Sequence, residues 1–233
     1  MKILAIDTSS KYLSIALSRG KDILGEESHL LDRRHSGELI PRIRSLLKKR
    51  AVSINAIDMF VVGLGPGSFT GLRIGVSTIK GFGIATGKPC IGIASIDALA
   101  MNTTPGPGST LPGSGSGNSL IVPIIDAKRG NVYSAIYKDG VKKSKNLLIS
   151  IDELMSKVKG EAVFLGDGIS LYKDKILSYN KNVSFLGEEF WYPSAGDLIR
   201  LALKNKNKKG DLNKLKPIYL YPKDCQVRKK SFP

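Results

Sequence analysis

The chain has 233 residues, 42% of them hydrophobic, and a formal net charge of +16. That length suits one large domain or two small ones with buried cores, and no apolar run approaches the roughly 18 residues of a membrane span. The start, Met1-Lys2-Ile3-Leu4-Ala5-Ile6-Asp7, lacks a long apolar stretch followed by a small-residue cleavage site, and the two cysteines, Cys90 and Cys225, are far apart. A reduced, cytoplasmic setting is the expectation.

The charge is clustered. Residues 33–50 hold seven basic residues against one acidic, and residues 204–230 hold ten against two. Such clustering suits an anionic partner such as RNA, or simply a basic solvated face.

In chain order, residues 2–8 read as a strand ending in Asp7-Thr8-Ser9-Ser10. Leu13, Ile15 and Leu17 alternate with small polar residues as a second strand, and Ile23 to Leu31 is a third, so the opening is an antiparallel meander. Leu39, Ile40, Ile43, Leu46 and Leu47 then share one face of a helix. Ser36 suits its N-cap, and Pro41 predicts a distorted first turn or a start nearer Ile40. Ile57 to Leu64 is a buried strand, broken by Gly65-Pro66-Gly67.

A helix from Thr70 to Thr86 follows, capped by Ser68 or Thr70. It contains Gly71, Gly75, Gly81 and Gly83, each costing about 1 kcal/mol relative to alanine. Ile74, Ser77, Gly81 and Ala85 line one face, with Gly71, Gly75 and Thr78 beside it. The small residues permit close approach, either to the chain's own sheet or to a helix of another subunit. Cys90 to Ile93 is a further strand, and Ser95 is expected to cap a short helix through Ala100.

Residues 103–119 are a Gly/Pro/Ser insert that cannot build a core. The pattern then restarts: strands over 119–126, 131–137 and 141–149, a helix over 152–159, a strand over 162–165, and helices over 169–179 and 194–204. Pro217 to Tyr221 is strand-like and precedes a basic end. Two copies of βββαβα predict an α/β protein with the duplicated actin, sugar-kinase and Hsp70-like (ASKHA) fold in two lobes. The expected divisions are a first lobe over 1–102, the 103–119 loop, a second lobe over 120–215 and a basic segment over 216–233.

In that fold, acids at the ends of the first strand of each half approach a nucleotide's phosphates. Asp7 (with Ser9) and Asp126 occupy those places. They read either as phosphate hairpins or as aspartates that open Asx turns, and Asp7-Thr8-Ser9-Ser10 lacks the glycines that let backbone N–H groups close on phosphate. Gly65-Pro66-Gly67-Ser68 lacks the lysine of a Walker loop. His29 and His35 have no ligand spacing and no acidic or cysteine cluster, so no metal site is predicted. Among the lysines of the tail, Tyr219 suits packing on the domain, and Arg228, Lys229 and Lys230 are candidate RNA contacts.

Ile6-Asp7-Thr8-Ser9, Arg33-Arg34-His35-Ser36, Asp126-Ala127-Lys128-Arg129-Gly130-Asn131-Val132-Tyr133 and above all Gly65-Pro66-Gly67-Ser68-Phe69-Thr70-Gly71-Leu72-Arg73-Ile74-Gly75 resemble the TsaB family, also called YeaZ. The resemblance implies a noncatalytic subunit of the bacterial machinery that makes threonylcarbamoyladenosine in tRNA beside the anticodon. It implies binding and activation of the catalytic subunit TsaD, a third partner in the ATPase TsaE, tRNA reached through the complex, and a homodimer when alone. It implies no metal and no cofactor of its own, and leaves residual ATP or ADP binding, at the partner interface or in the cleft, open. TsaD carries a paired-histidine metal motif; here the position four after His35 is Leu39, so the motif is absent.

The family's helical contact maps onto Leu39, Ile43, Leu46 and Leu47 of the first helix and Gly71, Ile74, Gly75, Ser77, Thr78 and Gly81 of the second. Two other readings are carried beside it. One is a nucleotide-dependent phosphotransferase or hydrolase of the same fold; the other is a stand-alone basic RNA-binding module.

Overall fold

The apolar alternation at the N-terminus folds as a meander of Lys2–Asp7 (β1), Tyr12–Arg19 (β2) and Asp22–Leu30 (β3). The computed structural model describes residues 1–31, 35–103, 119–204 and 210–222, without the side chains of His35 and Ser36. Most of the insert expected at 103–119, and Arg228, Lys229 and Lys230, therefore lie outside the described residues.

Helix α1, His35–Lys49, is followed by β4, Met59–Gly63, helix α2, Phe69–Thr86, strand β5, Cys90–Ile93, and helix α3, Ser95–Met101. The sheet order is β3-β2-β1-β4-β5, antiparallel across the meander and parallel from β1 through β4 to β5. α1 runs unbroken from His35, earlier than Pro41 implies. Pro41 sits on the exposed side, so the backbone bond it forgoes leaves a carbonyl on the face open to water.

The second half repeats the order. Leu120–Lys128 (β6), Asn131–Ser134 (β7), Tyr137–Lys138 (β8), Val141–Lys142 (β9) and Leu147–Ser150 (β10) precede helix α4, Ile151–Lys157. Ala162–Leu165 (β11), helix α5, Ile169–Tyr179, Val183–Phe185 (β12) and helix α6, Ala195–Lys204, complete it. The main path, β10-β7-β6-β11-β12, has the same parallel and antiparallel pattern as the first sheet. β12 is not among the predicted strands, and β8 and β9 divide the stretch predicted as 131–137 and 141–149 differently, because short strands leave too few residues for a period of two.

The last helix of the second half packs on the first half. Ala195, Leu198, Ile199 and Ala202 of α6 share a core with Ile3, Ala5, Ala16 and Val61. Expected as part of the second lobe, α6 thus covers the face of the first sheet opposite α1 and α2. In turn α3 sends Ile96 and Ala100 against Ala135 and Tyr137, and Leu99 against Val163 and Leu165. The lobes are joined by this exchange as well as by chain connectivity. Pro217 to Tyr221 forms no strand; it is held beside the end of β4 by the Ile218 N–H to Leu64 carbonyl bond of 2.8 Å. Among the described residues no helix is long and apolar enough to cross a membrane.

Candidate functional site

β1 ends on Asp7, which is 1% exposed. The backbone N–H and hydroxyl of Ser9 donate to its Oδ1 at 2.8 and 2.6 Å, and the hydroxyl of Ser95 donates to its Oδ2 at 2.6 Å. The Ser95 oxygen also accepts from the N–H of Gly65 at 3.0 Å. A Cβ on Gly63 would stand 1.8 Å from Asp7 Oδ2, and the Ser68 N–H donates to the Ser9 carbonyl at 2.7 Å. The glycine turn is thus tied down over the β1–β2 turn, and both carboxylate oxygens hold donors from the chain itself.

This is the Asx turn of the two readings. Asp7 and Ser9, the candidates for phosphate binding, join β1, the glycine turn and α3. Ser95 is not the helix cap expected of it. Ala94 takes the N-cap position without a side-chain bond, because the Ser95 hydroxyl is committed to Asp7 and Gly65.

Asp126 occupies the matching place in the second half and also opens an Asx turn, accepting from the Lys128 N–H at 2.8 Å. The Lys128 ammonium pairs with its other oxygen. The backbone N–H of Asp126 donates to Asp167 Oδ1 at 3.0 Å. Burial holds the Asp167 carboxyl above the usual carboxylate range, against the pull of that N–H and of Lys128 and Lys11. Asp126 and Asp7 therefore have the same turn chemistry, and at Asp126 the exposed ammonium of Lys128 adds a charged partner.

The predicted helical interface divides in two. Leu39, Ile43, Leu46 and Leu47 are buried in the core of the first lobe with Leu4, Ile6 and Phe60. Full burial of such a side chain contributes about 1.5–3 kcal/mol to folding, so these residues hold α1 on its own sheet. Gly71 and Gly75 also serve the fold. A Cβ on Gly71 would lie 2.0 Å from the Thr8 carbonyl oxygen, and one on Gly75 2.3 Å from Thr8 Oγ1. The Thr8 hydroxyl donates to the Gly71 carbonyl at 2.7 Å in that gap.

Ser77 and Gly81 lie on the other side of α2 and are exposed, Ile74 is half-buried against the lobe's own core, and Thr78, two turns from Gly71, is half-buried as well. No atom would come within 4 Å of a Cβ on Gly81. Beside them Ile84 is 75% exposed and Ile40 of α1 is 41% exposed. Ile40, Arg44, Leu47 and Phe82 line a groove of about 350 Å3 between the two helices. The sequence reading places Ile40 on the inward face and does not single out Phe82 or Ile84; the exposed isoleucines are legible only once the helix's buried side is known.

No cluster of His, Cys, Asp or Glu among the described residues could hold a metal ion. His29 pairs with Glu27 at 3.0 Å, and the Lys49 ammonium and His29 hold Glu27 below its ordinary range. Burial pushes the Cys90 thiol up to about 11, so it stays protonated at neutral pH. Tyr219 packs as expected: its ring lies 5.0 Å from that of Phe69, and its hydroxyl accepts from Arg73 Nε at 3.2 Å.

Residues 27–195 match the family model described as TsaD, tRNA N6-adenosine threonylcarbamoyltransferase. The Bacillus subtilis tRNA threonylcarbamoyladenosine biosynthesis protein TsaB is 34% identical, with 98% of this chain and 97% of that protein covered. The solved structure of YeaZ from Pseudomonas aeruginosa superposes with a TM-score of 0.76 at 24% identity, covering 94% of this chain and 99% of that one. The Acidaminococcus fermentans (R)-2-hydroxyglutaryl-CoA dehydratase component A superposes at 0.52 and 10% identity, over 89% of this chain and 100% of that one, and shares only the fold. With the duplicated β3-β2-β1-β4-β5 arrangement, these similarities make the architecture ASKHA-like, and the chain belongs to the TsaB (YeaZ) family.

Proposed function

We propose that this chain is a noncatalytic subunit that binds and activates a TsaD-type threonylcarbamoyltransferase in the threonylcarbamoyladenosine modification of tRNA. The observation that carries the reading is the division of α2. Gly71 and Gly75 are used up against Thr8, whereas Ser77 and Gly81 present backbone to solvent between Ile74 and Ile84. A helix of a partner can approach closely there and bury Ile84, which a lone chain leaves 75% exposed, beside the half-buried Ile74. The loss of an open carboxylate at Asp7 supports a subunit that assists rather than one that handles phosphate itself. On this reading the same face forms a homodimer in the absence of the catalytic subunit, a TsaE-type ATPase joins the complex, and tRNA is engaged by the assembly.

Mixing the purified chain with its cognate TsaD-type subunit should give a co-eluting complex and raise tRNA modification when a TsaE-type ATPase is added. Gly81→Leu should abolish co-elution without changing the melting temperature of the isolated chain by more than a few degrees. Co-elution that survives this substitution removes the face from the interface.

A further inference from the structure

Between the glycine turn of the first lobe and the β6–β7 turn of the second lies a cleft of about 460 Å3, reached by the first residue of α2 and separate from its Ser77–Gly81 face. Its walls are aromatic. Phe69 and Tyr219 form one, with ring centroids 5.0 Å apart; Tyr133 and Tyr221 form the other, edge to face at 6.2 Å. Both walls are fixed. The Arg73 guanidinium lies 3.8 Å from the Phe69 ring centre and its Nε donates to Tyr219, while the Tyr221 hydroxyl donates to the Ala127 carbonyl at 2.9 Å. Phe69 and Tyr219 nonetheless remain 38% and 40% exposed, with ring surface turned to solvent.

Lys128 and Arg129 line the same cleft. Both have left-handed backbone, φ 65° and 55°, ahead of Gly130 at φ 75°. Two cationic residues thus stand where glycine or asparagine would sit with less strain. Aromatic faces take any flat heteroaromatic ring by stacking, and cations at the rim neutralise a phosphate. A volume of this size accommodates a nucleotide. The described residues lining the cleft include no carboxylate to hold a triphosphate's metal, which favours one base of a longer strand over a free nucleotide.

We propose that this cleft receives the base of an unpaired nucleotide in RNA, stacked between the Phe69–Tyr219 and Tyr133–Tyr221 walls with its phosphate beside Lys128 and Arg129. The choice of RNA over DNA rests on the tRNA role proposed above; the stacking does not. The net charge of +16 supplies the general attraction to the strand.

The test is fluorescence anisotropy of the full-length chain with a short labelled oligoribonucleotide lacking secondary structure, and with an abasic strand of the same length and charge. Stacking predicts that the base-bearing strand binds about tenfold tighter or more. Tyr219→Ala and Tyr133→Ala should bring that ratio toward one while leaving the abasic affinity unchanged. Lys128→Ala should weaken both strands equally and lower the salt slope by about 0.7. If Tyr219→Ala lowers the thermal midpoint, Phe69→Leu removes a ring while keeping apolar contact and serves in its place. A ratio near one in the natural chain, including no binding of either strand, overturns the proposal. So does a ratio retained in the ring variants, or displacement of the strand by AMP at the concentration of bound RNA. Co-elution with the TsaD-type subunit is a separate measurement, so the two readings can fail independently.

Discussion

The hydroxyl of Ser95 reaches across 88 residues of sequence to donate to Asp7 Oδ2 at 2.6 Å. It joins the end of β1 to the start of α3 and, through the Gly65 N–H, to the glycine turn. Both oxygens of the carboxylate at the end of β1 are thereby held by the chain's own hydroxyls and backbone.

Ser95→Ala should therefore destabilise the chain. It leaves a buried carboxylate oxygen and the Gly65 N–H without this partner, a loss of about 1–3 kcal/mol. Urea unfolding of the two proteins measures the difference. Asp7→Asn should likewise act on stability, and titration calorimetry with ATP should give the same trace before and after the change.

The two sets of glycines on α2 should respond in opposite directions to alanine. Gly75→Ala forces Thr8 away from a contact of 2.3 Å and breaks its bond to the Gly71 carbonyl, so stability should fall by about 1–3 kcal/mol. Gly81→Ala meets open space and should raise stability by roughly 1 kcal/mol through helix propensity. Thermal melts of both variants check the pair.

Ile84→Glu places a charge on the exposed face of α2 without touching the core. Association with the TsaD-type subunit, or with a second copy of the chain, should weaken at least about tenfold, since a charge must be desolvated where an apolar side chain was buried. Light scattering coupled to gel filtration reads both equilibria, and the melting temperature should hold.

Asp167 makes stability depend on pH. Burial raises its carboxyl above the unfolded value, so the folded chain binds the proton more tightly than the unfolded one. The stability this adds is fully present below the unfolded pKa and is lost as pH rises through the folded one. Asp167→Asn keeps an acceptor for the Asp126 N–H and removes the charge. It should be more stable than the natural chain at neutral pH, with the gain shrinking as the solution is acidified. Denaturation midpoints at neutral and acid pH decide it.

Some of this architecture is legible from residue pattern because the pattern is strictly local. β5 and β11 stand at the predicted residues, each a run of apolar side chains bounded by turn residues. The helix of glycines begins at Phe69, one residue before the predicted start, and of the two predicted caps it is the Ser68 hydroxyl that accepts from the Gly71 N–H. The role of Ser95 is not legible, because a serine at a helix start has the same sequence signature whether it caps the helix or reaches a distant carboxylate. The exchange of α3 and α6 between lobes is hidden for a similar reason: periodicity shows that a helix has an apolar face and is silent about which sheet that face covers.

The chain's residues alone determine the order βββαβα and its repetition, the basic stretches, the missing histidine pair and the family resemblance. Tertiary structure decides which side of α2 belongs to the fold. Gly71, Gly75, Ser77 and Gly81 are all small, and a small residue has the same character in sequence wherever it points. Only the position of Thr8 against Gly71 and Gly75 leaves Ser77 and Gly81 as the pair that another protein's backbone can reach.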